Sequence, residues 1–193
     1  MTSHIPQLDE RVKDHKGYGL VQLVYGEGKG KTTSALGQAI RCAGSGKRVA
    51  VIFFDKGGNH YGERHLFDNL YNIDYWSTGR DRINPESGEF DFSITDADKV
   101  EAQKGLELAK RFLTSGEYDL VVLDEINSST HLGMLSLDSV LEAIDNKLPK
   151  IELILTGRNP HPDLIMRAHL VTEMKLERHY FYSGVPAREG LDF

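Results

Sequence analysis

The sequence predicts an α/β fold of three layers, in which helices cover both faces of a mostly parallel central sheet. Segments typical of buried strands alternate with segments typical of helices along almost the whole chain, which is the pattern of parallel βα units. Residues 48–54 are a continuous apolar run of the kind that is buried on both faces of a sheet. Polar residues follow several strands, so we expect the ligand site at the carboxyl edge of the sheet.

The individual elements follow from the pattern in chain order. The first strand, residues 20–25, leads into a glycine loop and then into a helix over residues 31–43. Small residues on one face of this helix permit close packing on the sheet. Residues 78–94 are polar and are predicted to form a long loop. The other predicted strands are residues 48–54, 73–77, 118–125, 151–155 and 170–174, and the other predicted helices are residues 95–113, 137–146 and 162–168.

Composition and charge narrow the classes of function. The chain has 193 residues, and we expect a polar N-terminal arm at residues 1–19 and a single domain at residues 20–193. A net charge of −6 gives no electrostatic support for binding nucleic acid or an anionic membrane. The single Cys42 excludes an intramolecular disulfide, and a buried structural thiol is expected. No signal peptide or membrane span is visible, so we expect a cytoplasmic location.

A glycine-rich loop after the first strand carries the main functional signal. Residues 26–33 read Gly-Glu-Gly-Lys-Gly-Lys-Thr-Thr, in the order of strand, loop, Gly-Lys-Thr and helix that a phosphate-binding P-loop requires. We expect Gly26, Gly28 and Gly30 to adopt positive φ, so that backbone N–H groups and the helix N-terminus face an anion. Residues 20–193 are therefore predicted to form a P-loop nucleotide-binding domain with the P-loop NTPase fold.

Side chains next to the loop and at a strand end predict a metal-assisted nucleotide site. Lys31 is expected to reach a phosphate, and the Thr32 hydroxyl is expected to ligate a divalent metal ion. Asp124 and Glu125 end a short apolar strand, where one carboxylate can hold the metal directly or through water. Since Mg²⁺ keeps several waters, Thr32 with one of these two carboxylates suffices.

The glycine loop is one residue shorter than most P-loops. Only residues 27–29 separate Gly26 from Gly30, whereas the usual pattern is G-x-x-x-x-G-K-[ST]. A shorter loop presents fewer amides at a different curvature, so the triphosphate need not lie in the direction it takes in most kinases and ATPases. Glu27 and Lys29 place opposite charges in this loop, and the Glu27 carboxylate has to face away from a bound phosphate.

With these motifs the chain resembles the P-loop-type ATP:corrinoid adenosyltransferases, which act on cob(I)alamin and cob(I)yrinic acid a,c-diamide. The resemblance covers nearly all of residues 19–193. It rests on the short glycine loop and on further motifs, which are Gly-Glu-Arg at residues 62–64, Val-Val-Leu-Asp-Glu at 121–125, Leu-Thr-Gly-Arg at 155–158, and the tail residues 184–185 and 190–193.

The resemblance implies a reaction and a set of site residues. In that family ATP lies reversed in the cradle, Co(I) of a reduced corrinoid attacks the ribose 5′-carbon, and triphosphate leaves. It also implies Mg²⁺ or Mn²⁺, a homodimer, and a flavoprotein as reductant. Lys31 and Glu125 are the expected catalytic residues. The expected ATP-binding residues are Gly26, Glu27, Gly28, Lys29, Gly30, Lys31, Thr32, Thr33, Arg41 and Arg158, and the expected metal ligands are Thr32, Asp124 and Glu125.

The chain departs from the family pattern after the third strand. Family members commonly carry Gly-Phe-Thr-Trp there, and these aromatic residues shield the lower face of the corrin. Residues 78–82 of this chain read Thr-Gly-Arg-Asp-Arg, without either aromatic residue. Trp76, Phe90 and Phe92 are candidates for the same role, although Trp76 lies within a strand and is expected in the core.

Two other functions stay open on the sequence alone. A P-loop ATPase or kinase would use Glu125 to align water or a hydroxyl group and would not release triphosphate. A non-catalytic ATP-binding relative would keep the cradle and lack the corrin lid. The aromatic run at residues 180–182 fits either a large planar ligand or core packing. The histidines lack metal-ligand spacing, so neither a zinc nor a haem site is predicted.

Overall fold

The computed structural model describes residues 8–82, 91 and 93–192, which contain a six-stranded sheet. Its strands are β1 (Val21–Tyr25), β2 (Val49–Phe53), β3 (Ile73–Ser77), β4 (Leu120–Asp124), β5 (Glu152–Gly157) and β6 (Leu170–Glu173). Their order in the sheet is β3-β2-β4-β5-β1-β6, and each of these neighbouring pairs is parallel. The predicted α/β fold with a parallel central sheet is confirmed.

Six helices accompany the strands of the described chain: α1 (Lys31–Gly44), α2 (Gly62–Phe67), α3 (Asp96–Ser115), α4 (Ile126–His131), α5 (Leu137–Asp145) and α6 (Pro162–Arg167). The ends of the predicted elements agree with the structure within two residues. Helices α2 and α4 were not predicted, because six residues are too few for an amphipathic repeat and neither helix has a side-chain N-cap. Helix α6 is equally short, but Pro162 marks its first turn. No helix in the described part of the chain is long and apolar enough to cross a membrane.

Apolar clusters lie on both faces of the sheet, and β2 contributes to both. Ala50 and Ile52 belong to the cluster formed with α3 and α5, whereas Val51 and Phe53 belong to the cluster formed with α1. Because successive side chains of a strand point to opposite faces, a strand buried on both sides has to be apolar throughout. Cys42 is buried in the α1 cluster, as predicted.

The described part of the predicted N-terminal arm is attached to the end of α6. The Arg11 guanidinium donates to the carbonyl oxygens of Met166 and Ala168, at 2.6 and 2.8 Å. Residues 1–7 of the predicted arm lie outside the described residues. The division into an arm and one domain stays a prediction.

A buried carboxylate ties the loop after β3 to the N-terminus of α3. Thr95 caps this helix in a capping box with Asp98, whose side chain is fully buried and accepts from the Thr95 backbone N–H and hydroxyl. The Arg80 Nε also donates to Asp98 at 3.0 Å, and Arg82 lies within 3.5 Å of it. Burial alone would raise the pKa of Asp98, but the Thr95 hydrogen bonds and the arginine charges outweigh it and lower the pKa. Residues 83–90 and 92 of the predicted long loop lie outside the described residues.

Replacing this carboxylate should destabilise the fold in a pH-dependent way. We expect Asp98→Asn to lower the free energy of unfolding by about 3 kcal/mol at pH 7, because two arginines lose a buried counter-charge. The folded-state pKa of Asp98 lies below its unfolded value of about 3.9. The difference between wild type and variant is therefore fully present above that value and is lost as the pH falls through the folded pKa.

Urea unfolding at several pH values measures this difference. Asp96→Asn is the matched control, because Asp96 lies in the same helical turn and its side chain is 97% exposed. An equal loss of stability in the two variants at pH 7 would contradict the prediction.

Candidate active site

The glycine loop joins the carboxyl end of β1 to the N-terminus of α1. Gly26 and Gly30 have φ values of 115° and 114°, as predicted. The same prediction was wrong for Gly28, whose φ is not positive. The Gly28 amide donates to the carbonyl of Met174 at 2.7 Å, and a Cβ at this position would lie 2.6 Å from the carbonyl oxygen of Lys175. Glycine is required there because the loop backbone touches the backbone that follows β6.

The Lys31 side chain lies across the loop. It is almost fully buried, and its Nζ donates to the carbonyl oxygen of Gly28 at 3.0 Å. Burial lowers the pKa of Lys31, while the negative charge of Glu125 acts in the opposite direction. A buried ammonium on a neutral carbonyl gains a stronger partner when an anion such as phosphate enters the loop.

Asp124, at the end of β4, is fully buried and accepts hydrogen bonds from three directions. The Thr156 hydroxyl donates to Oδ1 at 2.6 Å, and the Lys56 Nζ and the Thr32 hydroxyl donate to Oδ2 at 2.5 and 3.3 Å. The Lys56 Nζ also donates to the Thr32 hydroxyl at 2.8 Å. Burial alone would lower the pKa of Lys56, but the charges of Asp124 and Glu125 outweigh it and raise the pKa. Neither Lys56 nor Thr156 was predicted as a site residue.

The donors at this point fit a magnesium ion. Thr32 and Asp124 bring a hydroxyl and a carboxylate oxygen within 3.3 Å of each other, and Mg²⁺ prefers oxygen ligands. The described residues hold no group of three or more His, Cys, Asp or Glu that could enclose a metal ion. Mg²⁺ takes few protein ligands and keeps water or phosphate oxygens for the rest of its coordination.

Glu125 shares Thr156 with Asp124 through its backbone, but its carboxylate is hydrogen-bonded to a different residue. Its φ is 65°, and its backbone N–H donates to the Thr156 hydroxyl at 2.9 Å. Its carboxylate accepts from the Ser128 hydroxyl at 2.5 Å, and the Ser128 oxygen accepts from the Arg158 backbone N–H at 2.9 Å. Ser128 thus links two predicted site residues. Ser128 was not predicted as a site residue, because it lies on the unpredicted helix α4.

The charge of Glu27 is balanced at the mouth of the loop. Its carboxylate lies 3.0 Å from the Arg158 guanidinium, and both side chains are about half exposed. The Glu27 carboxylate therefore has a specific cationic partner in Arg158, while the expectation that it faces away from a bound phosphate stays a prediction. Arg158 comes directly after β5, so the strand that separates β1 from β4 supplies the neutralising group.

Comparison with known proteins identifies the family. Residues 17–193 match the profile of the family described as ATP:corrinoid adenosyltransferase BtuR/CobO/CobP. This chain belongs to that family. The corrinoid adenosyltransferase of Escherichia coli is 31% identical over 175 residues, which cover 91% of this chain and 86% of that protein. The corrinoid adenosyltransferase of Pseudomonas aeruginosa is 33% identical over 190 residues, covering 96% and 90%. Corrinoid adenosyltransferase CobA of Salmonella typhimurium is 31% identical over 175 residues, covering 91% and 86%.

Membership of the adenosyltransferase family confirms several predictions. It confirms the resemblance drawn from the motifs, and it agrees with the P-loop NTPase class of α/β fold. It also confirms a transferase that uses ATP and a corrinoid as substrates. The roles of individual site residues stay predictions.

In this member of the adenosyltransferase family, the C-terminal tail, residues 174–192, covers one flank of the glycine loop. The Lys29 Nζ donates to the carbonyl oxygen of Leu191 at 2.6 Å and to the Tyr180 hydroxyl at 3.1 Å, and it pairs with the Asp192 carboxylate. The Tyr180 hydroxyl also donates to Asp192. Lys29 was predicted to contact ATP, and the structure shows that the tail already holds its ammonium.

A cavity of about 240 Å³ lies between the tail and the loop. Tyr180 and Phe181 line this cavity. Phe181 and Tyr182 are 63% and 79% exposed, so the alternative that these two residues pack in the core is wrong. The cavity is mainly cationic on the loop side. Its ionisable lining residues are Glu27, Lys29, Lys31, Arg158, His179 and Asp192.

Arg41 is not brought to the glycine loop. It lies in the last turn of α1, roughly 15 Å along the helix axis from Lys31 at a rise of about 1.5 Å per residue. There it lines a separate cavity of about 420 Å³ together with Tyr18 and Glu152. Its position in this chain does not support the predicted contact with ATP. Thr33 lies in the first turn of α1, where its side chain is exposed.

Arg80 and Arg82 stand where the family resemblance predicts aromatic residues, and both pair with carboxylates. Arg82 is only 5% exposed, and its Nε donates to Asp55 at 2.6 Å. Arg80 donates to Asp98 at 3.0 Å and to Asp91 at 2.7 Å. These side chains hold the loops after β2 and β3 together.

The other aromatic candidates for a corrin lid have separate outcomes. Trp76 packs against Phe112 with ring centroids 4.4 Å apart, so it belongs to the core, as expected. Phe90 and Phe92 lie outside the described residues.

The contact between the loop and the tail backbone predicts the effect of a single methyl group. We expect Gly28→Ala to weaken ATP binding about tenfold or more, because the new Cβ forces the loop away from Lys175. Isothermal titration calorimetry with Mg–ATP measures this effect.

Gly37→Ala is the matched control, because a Cβ on Gly37 would have no neighbour within 4 Å. It should bind ATP as the wild type does and raise the free energy of unfolding by about 0.5–1 kcal/mol, since Gly37 lies inside α1. Wild-type ATP affinity in Gly28→Ala would show that the loop does not need this close approach.

Proposed function

We propose that this protein transfers the 5′-deoxyadenosyl group of ATP to the Co(I) centre of a corrinoid, with triphosphate as the leaving group. One observation carries the proposal. The shortened glycine loop holds a buried Lys31 ammonium beside the Thr32–Asp124 pair, in a chain that belongs to the adenosyltransferase family.

The reaction asks the protein for positioning and charge stabilisation. Co(I) supplies the electron pair of the new cobalt–carbon bond, and the bond between the 5′-carbon and the triphosphate oxygen breaks with its electrons on oxygen. Since Co(I) is itself a strong nucleophile, no Ser, Cys or His has to be activated. Charge grows on the departing triphosphate, so cationic groups aimed at it lower the barrier.

Specific residues are suited to that task. Lys31 and the amides of the glycine loop would contact the phosphates, and Arg158 would approach them from the end of β5. Thr32 and Asp124 would hold Mg²⁺, which neutralises phosphate charge when bound. Glu125 would position Arg158 through Ser128, because both residues hydrogen-bond to that hydroxyl.

The flanks of the loop support a reversed ATP. In most P-loop proteins the lysine and the threonine-bound metal contact the β- and γ-phosphates. The nucleoside then lies toward the flank of the loop opposite the lysine and the metal. Here that flank is covered by the tail, and the charged residues that line the remaining cavity are Lys29, Lys31 and Arg158 together with Glu27 and Asp192. Asp192 pairs with Lys29 and Glu27 pairs with Arg158, so Lys31 supplies the excess positive charge, which suits a terminal phosphate better than an uncharged base. The ribose 5′-carbon would then lie on the Asp124 side, open to the corrinoid.

Oligomer, reductant and location complete the proposal. We infer a homodimer, as the resemblance implies, and the edge strand β6 supports it by exposing Leu170 and Val171. A flavoprotein is proposed as the reductant that supplies Co(I), and the cytoplasm is proposed as the place of action. Light scattering of the purified protein measures the oligomeric state.

An assay with chemically reduced corrinoid tests the reaction without a reductase. With ATP and Mg²⁺ we expect equal amounts of adenosylcorrinoid and triphosphate from the wild type. Lys31→Ala should lower this rate at least about 100-fold, because one buried cation is lost from the leaving group. Absorbance spectra report adenosylcorrinoid, and anion-exchange chromatography reports triphosphate.

Lys47→Ala is the control, because Lys47 pairs with Asp119 near the start of β4 and should leave the rate unchanged. Release of phosphate or ADP without adenosylcorrinoid would identify an ATPase or kinase instead. Bound ATP without any product would identify a non-catalytic relative.

Two variants of opposite charge effect test the placement of the triphosphate. Arg158→Met should weaken binding of tripolyphosphate about tenfold, because a guanidinium is removed beside the phosphates. Glu27→Gln should strengthen it, because the carboxylate next to Arg158 disappears. Competition against a fluorescent ATP analogue gives both affinities. If neither variant alters tripolyphosphate binding, the triphosphate does not lie at this flank.

A further inference from the structure

Lys56 lies where a metal ion would bind, and no motif of the sequence points to it. Its ammonium is within 2.8 Å of the Thr32 hydroxyl and 2.5 Å of the Asp124 carboxylate, the two groups that fit Mg²⁺. Its side chain is 16% exposed, so the contact is largely shielded from water. One cation of this chain therefore already occupies the space between the two candidate metal ligands.

The backbone of Lys56 is fixed, so only the side chain is free to move. Its N–H donates to the Thr78 carbonyl at 3.2 Å. Its carbonyl accepts from the Arg64 guanidinium at 2.5 Å and from the Ser77 hydroxyl at 2.6 Å. The preceding Asp55 has a φ of 53°, which places its backbone in the left-handed region.

An ammonium and a magnesium ion cannot share these two oxygens. Mg²⁺ binds its ligands at about 2.0–2.1 Å and demands near-octahedral geometry. With the ammonium still at its present distances, two cations would lie within contact of each other in a buried site, where their repulsion is strong. Metal binding therefore requires the Lys56 side chain to leave.

We propose that Lys56 is an exchangeable internal counter-ion, which neutralises Asp124 in the nucleotide-free protein and moves onto the triphosphate when the metal binds. This inference rests on the proposed function, because it takes the glycine loop to be a triphosphate site. The long flexible lysine stem allows the movement, and phosphate oxygens are the strongest new acceptors for an ammonium. The exchange keeps Asp124 paired with a cation in both states, which a buried carboxylate requires.

Metal binding to the nucleotide-free protein tests the first half of the proposal. We expect Lys56→Met to bind Mn²⁺ about tenfold more tightly than the wild type, since the competing cation is gone. The free Mn²⁺ signal in electron paramagnetic resonance gives the affinity. Lys47→Met is the matched control and should leave Mn²⁺ affinity unchanged, because its partner Asp119 lies away from the glycine loop.

Lys56→Gln serves as a second variant in case the methionine variant does not fold. The carboxamide still donates a hydrogen bond to Asp124 but carries no charge, and circular dichroism checks its fold. It too should bind Mn²⁺ about tenfold more tightly. Unchanged Mn²⁺ affinity in a folded, uncharged variant would overturn the proposal.

Binding of tripolyphosphate to protein already saturated with Mn²⁺ tests the second half, because the metal has then displaced the Lys56 ammonium before the anion is added. Both Lys56 variants should bind tripolyphosphate about tenfold more weakly than the wild type under these conditions, because one phosphate contact is lost. Unchanged affinity would overturn the movement of Lys56 onto the phosphates. Neither measurement uses a corrinoid. If both go as expected while the wild type forms no adenosylcorrinoid, the proposed function fails and the counter-ion role stands.

Discussion

A single buried carboxylate organises the candidate active site. Asp124 is fully buried at the end of β4, and an unpaired charge in that position would cost several kcal/mol. Its partners come from three other parts of the chain: Thr156 in β5, Thr32 at the start of α1, and Lys56 after β2. The need to satisfy one charge therefore fixes the glycine loop relative to the neighbouring strand ends.

The sequence predicted what depends on local pattern and missed what depends on strand order. The continuous apolar runs of β2 and β4 and the spacing of the glycine loop are local signals, and the structure confirms those elements. Lys56 reaches Asp124 because β2 lies beside β4 with Phe53 opposite Asp124. No local pattern contains that register. Ser128 was missed for another reason, since its helix is short and also has no side-chain N-cap or proline to mark its start.

The charged residues of the glycine loop also have partners that no local pattern of the sequence contains. Sequence alone places a carboxylate and an ammonium inside a phosphate cradle, which looks unfavourable. In the fold each is paired with an opposite charge, Glu27 with Arg158 and Lys29 with Asp192. Both partners follow the loop by more than a hundred residues. The charge of the cradle is thus set by its distant partners as well as by the loop sequence.

The ionic cluster after β3 bears on how a corrin is shielded in this chain. Arg82 is nearly buried against Asp55 and Asp98, so the position at which the resemblance predicts an aromatic residue serves here to neutralise two carboxylates. An Arg82→Trp exchange would leave those carboxylates without part of their counter-charge, whereas Trp76 is already committed to the core beside Phe112. An aromatic residue and an arginine at position 82 therefore require different neighbours. A change from one to the other has to involve the acidic residues together with the arginines.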